Sequence, residues 1–139
     1  MIAMIVASHG DFASGILQSA TMIFGAQTKV TAVTFQASEG PADLKQKYEQ
    51  ALAEFDADDQ VLFLVDLWGG TPFNVASQLV AQSPERMALL TGLNLPMMID
   101  AYTLREQPLT DVVPHLENSG RKGIRHLDLT PSDEEDDLL

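Results

Sequence analysis

The run Val-Leu-Phe-Leu-Val at residues 61–65 constrains the fold of this chain more than any other stretch. An unbroken apolar run of this length is typical of a strand in the middle of a parallel sheet, buried on both faces. Other strand-like runs alternate with segments of helical pattern. The strand-like runs are at residues 2–7, 30–35 and 87–90, and the helical segments are at 12–24, 41–55, 71–81, 94–104 and 109–118. The alternation predicts an α/β fold with helices on both faces of a mainly parallel sheet.

The ends of the predicted helices carry local signals. Gly25 follows the first helix as a C-terminal signal, and Pro41 lies in the first turn of the second. In the third helix we expect Thr71 as the N-cap and Pro72 at the first helical position. Pro114 weakens the last helical pattern, and residues 124–129 are predicted to form a short final strand.

We expect one domain at residues 1–129. An acidic tail follows it at residues 130–139. The 139 residues are 45% apolar and give no sign of a second core. The formal charge is −12, from 8 basic and 20 acidic residues, and six of the acids lie in the last 12 residues. This composition predicts a disordered, solvated tail. The acidic balance argues against nucleic acids and anionic membranes as partners, because both attract clustered Lys and Arg.

The sequence contains no cysteine, which excludes disulfides and thiolate metal sites. The amino-terminal apolar run has no basic flank and is too short to span a membrane. We therefore expect a cytoplasmic protein with no membrane insertion, no metal and no cofactor.

Polar residues and glycines follow the predicted strands where each strand ends. In parallel sheets, sites lie at the carboxyl ends of the strands, near a switch in strand order. The candidates at this edge are His9 and Gly10 after the first strand, and Asp66, Trp68, Gly69, Gly70 and Thr71 after the third.

These residue types fit phosphoryl chemistry. A neutral imidazole is a good nucleophile, and Asp66 can hold the proton on one nitrogen of His9 so that the other attacks phosphorus. The transferred group is an anion, which N–H groups and the helix dipole at the start of the Thr71 helix would hold. Gly69 and Gly70 let the backbone come close, and the Thr71 hydroxyl can donate a hydrogen bond. We expect these three residues, with Gly10 and Trp68, to bind the phosphoryl group, and His9 and Asp66 to be catalytic.

Each candidate also has a plain structural interpretation. His9 can be structural, Asp66 can cap a turn, Gly69-Gly70 can be a simple turn, and Trp68 can be a core or dimer contact. Their coincidence at one edge favours a site. His115 and His126 lie outside the strand ends, and we expect surface or structural roles for both.

Four segments resemble the IIA domains of mannose-family sugar phosphotransferase systems. They are IVASHGDFASGILQSATMIFG, VLFLVDLWGGTPFNVAS, LLTGLNLPMMIDA and the late GRKGI, and together they extend the resemblance over about residues 1–127. The resemblance implies a doubly wound sheet with strand order 2-1-3-4. It also implies a homodimer in which a C-terminal strand, here residues 124–129, pairs with the partner's sheet.

The resemblance further implies a phosphotransferase that carries a phosphoryl group on a histidine. His9 would accept the group at Nε2 from the phosphocarrier HPr and pass it to a separate IIB component, with the membrane IIC and IID components acting beyond it. Asp66 would orient the imidazole, and Thr71 would help to hold the phosphoryl group. The IIA unit touches no sugar, so the sequence does not choose the transported sugar.

Other functions stay open at this stage. A phosphocarrier that feeds a dihydroxyacetone kinase shares the fold, but its third-strand motif runs Asp-x-Gly-Ser. A receiver domain phosphorylated on Asp66 would need an acidic pair after the first strand. A histidine phosphatase would need an Arg where Ser8 stands. A regulatory domain without phosphoryl transfer is the remaining alternative.

Overall fold

The computed structural model describes residues 1–131, in which strands and helices alternate before a final pair of helices. The elements are β1 (Ile2–His9), α1 (Phe12–Phe24), β2 (Val30–Phe35), α2 (Pro41–Ala53), β3 (Gln60–Val65), α3 (Thr71–Gln82), β4 (Met87–Thr91), α4 (Leu95–Thr103) and α5 (Leu109–Lys122). The predicted disorder of the tail lies almost wholly outside the described residues.

The four strands form one parallel sheet in the order β2-β1-β3-β4, which confirms the predicted fold class and strand order. β1 and β3 are the central strands, and Ala7 lies opposite Val65 near their carboxyl ends. All residues from Val61 to Val65 are completely buried. This burial on both faces explains why β3 is apolar at every position after its first residue, Gln60.

Two hydrophobic cores lie on opposite faces of the sheet. Successive residues of β1 alternate between them, because side chains on a strand point to opposite faces. Met4 and Val6 pack with α1, α4 and α5, whereas Ile5 and Ala7 pack with α2 and α3. Helices therefore cover both faces, and the carboxyl edge of the sheet is left for the site.

Asn94 joins α4 to α5 at this edge. Its Oδ1 accepts the N–H of Met97 at 3.0 Å and caps α4, while its Nδ2 donates to the Gly120 carbonyl at 2.9 Å. A methyl group on Gly120 would lie 2.7 Å from Met97 Cε, so a larger residue here would require the end of the Met97 side chain to move. Gly120, the first glycine of the late GRKGI motif, thus lies where α4 and α5 pack together.

The prediction of Thr71 as the N-cap of α3 is wrong. Gly70 is the N-cap, and Thr71 and Pro72 are the first two helical residues. Gly70 has φ +82°, a conformation that glycine adopts without the steric cost paid by threonine. The predicted ends of α2 and α5 also differ: α2 ends at Ala53, and α5 continues through Pro114 to Lys122.

The expected strand at residues 124–129 is not formed within the described chain, where this segment has no regular secondary structure. A strand needs a neighbour to complete its hydrogen bonds, and the segment finds none in its own sheet. Its apolar side chains Ile124, Leu127 and Leu129 are exposed. Exchange of this segment between two copies stays a prediction. Within residues 1–131 no helix is long and apolar enough to cross a membrane.

Candidate functional site

His9 and Asp66 meet at the carboxyl edge of the two central strands. His9 is the last residue of β1, and Asp66 directly follows β3. His9 Nδ1 lies 3.0 Å from Asp66 Oδ2, and the backbone N–H of His9 donates to the same oxygen, also at 3.0 Å. The Asp66 N–H in turn donates to the Ala7 carbonyl at 3.2 Å. The structure therefore brings the predicted histidine and carboxylate into direct contact.

This contact determines which nitrogen of His9 carries the proton. An ionised carboxylate can only accept hydrogen bonds, so Nδ1 is the protonated nitrogen. Nε2 then holds a lone pair. The His9 side chain is 45% exposed, so a reactant can reach this nitrogen from solvent.

The backbone of Gly70 lies against the free nitrogen of His9. A methyl group on Gly70 would lie 3.1 Å from Nε2 and 3.1 Å from Cε1, closer than side chains normally pack. Gly69 also has a positive φ, +89°. Two glycines in this conformation turn the chain from β3 into α3 directly beside the imidazole.

The amino terminus of α3 follows this turn and supplies hydrogen-bond donors. The first N–H groups of a helix have no acceptor within the helix. Pro72 has no N–H and the Asn74 N–H donates to the Gly70 carbonyl, so the free donors of the first turn are those of Thr71 and Phe73. The positive end of the helix dipole adds to their attraction for an anion.

Ser8 shapes the other side of the site. It is completely buried, its Oγ accepts the N–H of Ala13 at 2.7 Å, and it donates to the Gly10 carbonyl at 3.2 Å. Ser8 thus satisfies a donor at the start of α1 from outside the helix. No role for Ser8 was predicted, although a serine shortly before a helical segment is the signal that could have indicated one.

Gly10 contributes to the conformation of the turn. Its φ is +53°, and its N–H donates to the Phe35 carbonyl at 2.8 Å. That donor is therefore already used within the protein. The His9 and Phe35 rings lie at an interplanar angle of 76°, with centroids 6.2 Å apart.

Trp68 lies beside the site on the side of β4. Its side chain is 77% exposed and packs on Phe73, with ring centroids 4.5 Å apart. It also lines a groove along β4 together with Leu89, Thr91 and Ile124. This position excludes the interpretation of Trp68 as a core residue.

The other two histidines lie away from this edge, as expected. His115 is on α5, with Nε2 3.7 Å from Asp100 Oδ2, and His126 is exposed in the segment after α5. In the described part of the chain no group of three or more His, Cys, Asp or Glu side chains has an arrangement that could hold a metal ion.

A family model matches this fold and this site. The EIIA-man family, described as "PTS system fructose IIA component", matches residues 3–115, which include both His9 and Asp66. The chain belongs to this family. It is therefore a IIA component of the mannose family and a phosphoryl carrier in sugar transport, with the HPr and IIB roles that follow from the family.

Individual relatives agree with the family. The chain is 38% identical to the PTS system fructose-specific EIIA component of Bacillus subtilis (strain 168), over 90% of this chain and 86% of that protein. It is 35% identical to the PTS system mannose-specific EIIAB component of Escherichia coli (strain K12), over 94% of this chain and 41% of that longer protein.

A solved structure supports the same assignment. The crystal structure of phosphotransferase system component EIIA from Streptococcus agalactiae matches with a TM-score of 0.83 and 34% identity, over 91% of this chain and 97% of that one. The predicted family, α/β fold and carrier function are thus confirmed. Membership also supports a transferase role, and it decides against the receiver and phosphatase alternatives.

Proposed function

We propose that His9 is the residue that carries the phosphoryl group, on Nε2, from phospho-HPr to a IIB component. The observation that carries this proposal is the pair of 3.0 Å contacts between His9 and Asp66 Oδ2. They direct the lone pair of Nε2 away from Asp66, toward the Gly70 turn and the start of α3.

The transfer exchanges one phosphorus–nitrogen bond for another. The Nε2 lone pair of His9 attacks the phosphorus of phosphohistidine on HPr, and the bond to the donor nitrogen breaks with its electron pair returning to that nitrogen. His9 acquires positive charge as the new bond forms, and the Asp66 carboxylate stabilises it through Nδ1–H. In the second transfer a nucleophile of IIB attacks the phosphorus, and the bond to His9 Nε2 breaks with its electron pair returning to Nε2.

As the group moves between the two nitrogens, its negative charge is spread over three phosphoryl oxygens that need hydrogen-bond donors. We assign its stabilisation to the N–H groups of Thr71 and Phe73 and to the Thr71 hydroxyl. This hydroxyl is available because Gly70, not Thr71, occupies the N-cap position. Gly70 brings the backbone to contact distance of Nε2, and Gly69 forms the turn that precedes it. Gly10 and Ser8 hold the turn that follows His9. Trp68 lies on the exposed surface beside the site, and we do not assign it a contact with the phosphoryl group.

The proposal extends to the surroundings of the protein. We place the carrier in the cytoplasm, where HPr donates to it, and link it to membrane IIC and IID components through IIB. We also propose a homodimer in which residues 124–129 pair with the free edge of the partner's β4.

Labelling with phosphoenolpyruvate tests the site directly. The full chain is incubated with labelled phosphoenolpyruvate, the general phosphotransfer enzyme and HPr. We expect label that is lost in acid and survives alkali, as phosphohistidine does. His9→Ala should abolish it, and the control His115→Ala should retain it. Label that persists on His9→Ala, or that alkali removes, would contradict the assignment.

A further inference from the structure

Tyr48, a buried residue of α2, connects this helix to the first turn of α3 beside the site. It is completely buried, and its hydroxyl donates to the Pro72 carbonyl at 2.9 Å. Its ring also meets Phe63 of β3 edge to face, with centroids 5.3 Å apart. Tyr48 is thus held by the sheet and holds the first turn of α3.

The position of that first turn matters because the turn touches the reactive nitrogen. Pro72 is two residues beyond Gly70, whose backbone lies at contact distance from His9 Nε2. Thr71, between them, bears two of the donors that we assigned to the phosphoryl group. Small displacements of groups that meet a transition state lower rates strongly, because hydrogen-bond energy falls quickly with distance and angle.

We propose that Tyr48 is a positioning residue: its hydroxyl, bonded to Pro72, holds the first turn of α3 where the N–H groups of Thr71 and Phe73 meet a phosphoryl group on His9. This inference rests on the proposed role of His9. Burial, with the nearby charge of Asp66, raises the pKa of Tyr48 far above its usual range. The hydroxyl therefore stays protonated and remains a donor at every pH at which the protein works.

A second buried tyrosine, Tyr102, helps to distinguish the effect of burying the ring from the effect of the hydroxyl hydrogen bond. Tyr102 on α4 is also buried, but on the other face of the sheet, and its hydroxyl has no hydrogen-bond partner among residues 1–131. Burial of a tyrosine ring in this protein thus does not require a bonded hydroxyl. The bond from Tyr48 to Pro72 is a specific link between α2 and the site, and Tyr102 is its matched control.

The test compares Tyr48→Phe with Tyr102→Phe in the full chain. Each variant removes one oxygen and keeps the ring that fills the core. Transfer from phospho-HPr is measured in single turnovers over a range of HPr concentrations, well below the unfolding temperature of every variant. The backbone N–H resonances of Gly70 and Thr71 are recorded by NMR in parallel.

We expect Tyr48→Phe to lower the maximal transfer rate about threefold to tenfold, the range that one lost hydrogen bond supports. The HPr concentration at half-maximal rate should stay unchanged, and the Gly70 and Thr71 resonances should shift. Tyr102→Phe should leave all three unchanged. This pattern would show that the hydroxyl acts on the transferred group through α3.

Two results would overturn the inference in different ways. If Tyr48→Phe unfolds at a lower temperature but keeps the wild-type maximal rate, Tyr48 is only structural and the role of His9 stands. If wild-type protein takes label on a residue other than His9, the proposed function fails, and the positioning role of Tyr48 fails with it.

Discussion

One carboxylate oxygen, Oδ2 of Asp66, accepts both the backbone N–H and the Nδ1–H of His9, each at 3.0 Å. The backbone contact ties the main chain of β1 to the end of β3, and the ring contact orients the imidazole. Two bonds to one acceptor leave the ring little freedom to rotate. The second oxygen, Oδ1, is buried and has no hydrogen-bond partner among the described residues. The side-chain hydrogen bonds of Asp66 within residues 1–131 are therefore those to His9.

Asp66→Asn should slow transfer by about tenfold to a hundredfold, since a hydrogen bond to a charged group contributes roughly 1.5–3 kcal/mol. The backbone N–H of His9 requires an acceptor, so the amide oxygen should stay at the Oδ2 position and preserve the tautomer. The lost charge, which stabilises the developing imidazolium, is then the main cause. Single-turnover transfer to and from HPr measures the effect.

The control for this substitution is Asp11→Asn. Asp11 is also an acid close to His9 in sequence, but its Oδ1 accepts a hydrogen bond from Gln36 Nε2 at 2.9 Å. The Asp11→Asn variant should transfer the phosphoryl group at close to the wild-type rate. Equal rates for Asp66→Asn and wild type in both directions would remove Asp66 from the mechanism.

Gly70→Ala should reduce transfer by about 10²-fold, as expected when reacting groups are displaced by about 1 Å. The added methyl group would lie 3.1 Å from Nε2, where the phosphoryl group must form its bond. Gly69→Ala is the matched control, because Gly69 also has a positive φ but no atom lies within 4 Å of the methyl position. Both variants should lose stability in urea unfolding, but only Gly70→Ala should lose most of its transfer. Similar losses of transfer in both would show that backbone strain, not crowding of Nε2, is the cause.

Much of the fold could be predicted because its signals are local. The apolar run of β3 predicted a central strand, and the strand-end positions of His9 and Asp66 predicted their meeting. The N-cap of α3 was wrong because cap preferences favour threonine, whereas the approach to His9 needs a residue with positive φ, which is Gly70.

Two residues at the site were missed because their contacts are tertiary. Tyr48 bonds to Pro72, 24 residues further along the chain, and no sequence period indicates that pairing. Ser8 lies in β1, and its Oγ accepts the N–H of Ala13 at the start of α1. The strand expected at 124–129 is not formed in the single chain, and its formation on a second chain stays a prediction.

Acid should destabilise the protein partly through Asp59, at the edge of the sheet opposite the site. The Lys29 ammonium donates to Asp59 Oδ2 at 2.7 Å and lowers the pKa of this buried carboxyl below its ordinary 3.8. A carboxyl with a lowered pKa in the folded state contributes stability above its unfolded pKa, and loses it as pH falls through the folded pKa. Asp59→Asn should therefore lower the stability near neutral pH and flatten its loss in acid.

Urea unfolding between neutral pH and about pH 2 measures this change, since the window lies around and below the ordinary carboxyl pKa. Asp58→Asn, at an exposed carboxyl in the same loop, should follow the wild-type curve. An Asp59→Asn curve parallel to that of the wild type would contradict the role of the Lys29 contact.

Deletion of residues 124–139 should convert a dimer into monomers or aggregates. Ile124, Leu127 and Leu129 are exposed, and β4 is an outer strand of the sheet. Within residues 1–131, an apolar segment and a sheet edge therefore both lack cover. Pairing the segment with the partner's β4 would cover both. Sedimentation measures the state, and deletion of 132–139 alone, the matched control, should leave the dimer intact. A full-length protein that sediments as a monomer at micromolar concentration would contradict the exchange.

Deletion of residues 132–139 should leave phosphoryl transfer within about twofold of wild type, because charge effects beyond about 8 Å are screened at physiological salt. This segment, which lies outside the described residues, has five acids and only two apolar residues, Leu138 and Leu139. Acids held close to His9 would repel an incoming phosphoryl group, so the prediction is that this segment takes no part in transfer. Transfer from HPr and to IIB is measured with the dimer verified by sedimentation. A large loss of rate in either direction, with the dimer intact, would assign the segment to a docking surface instead.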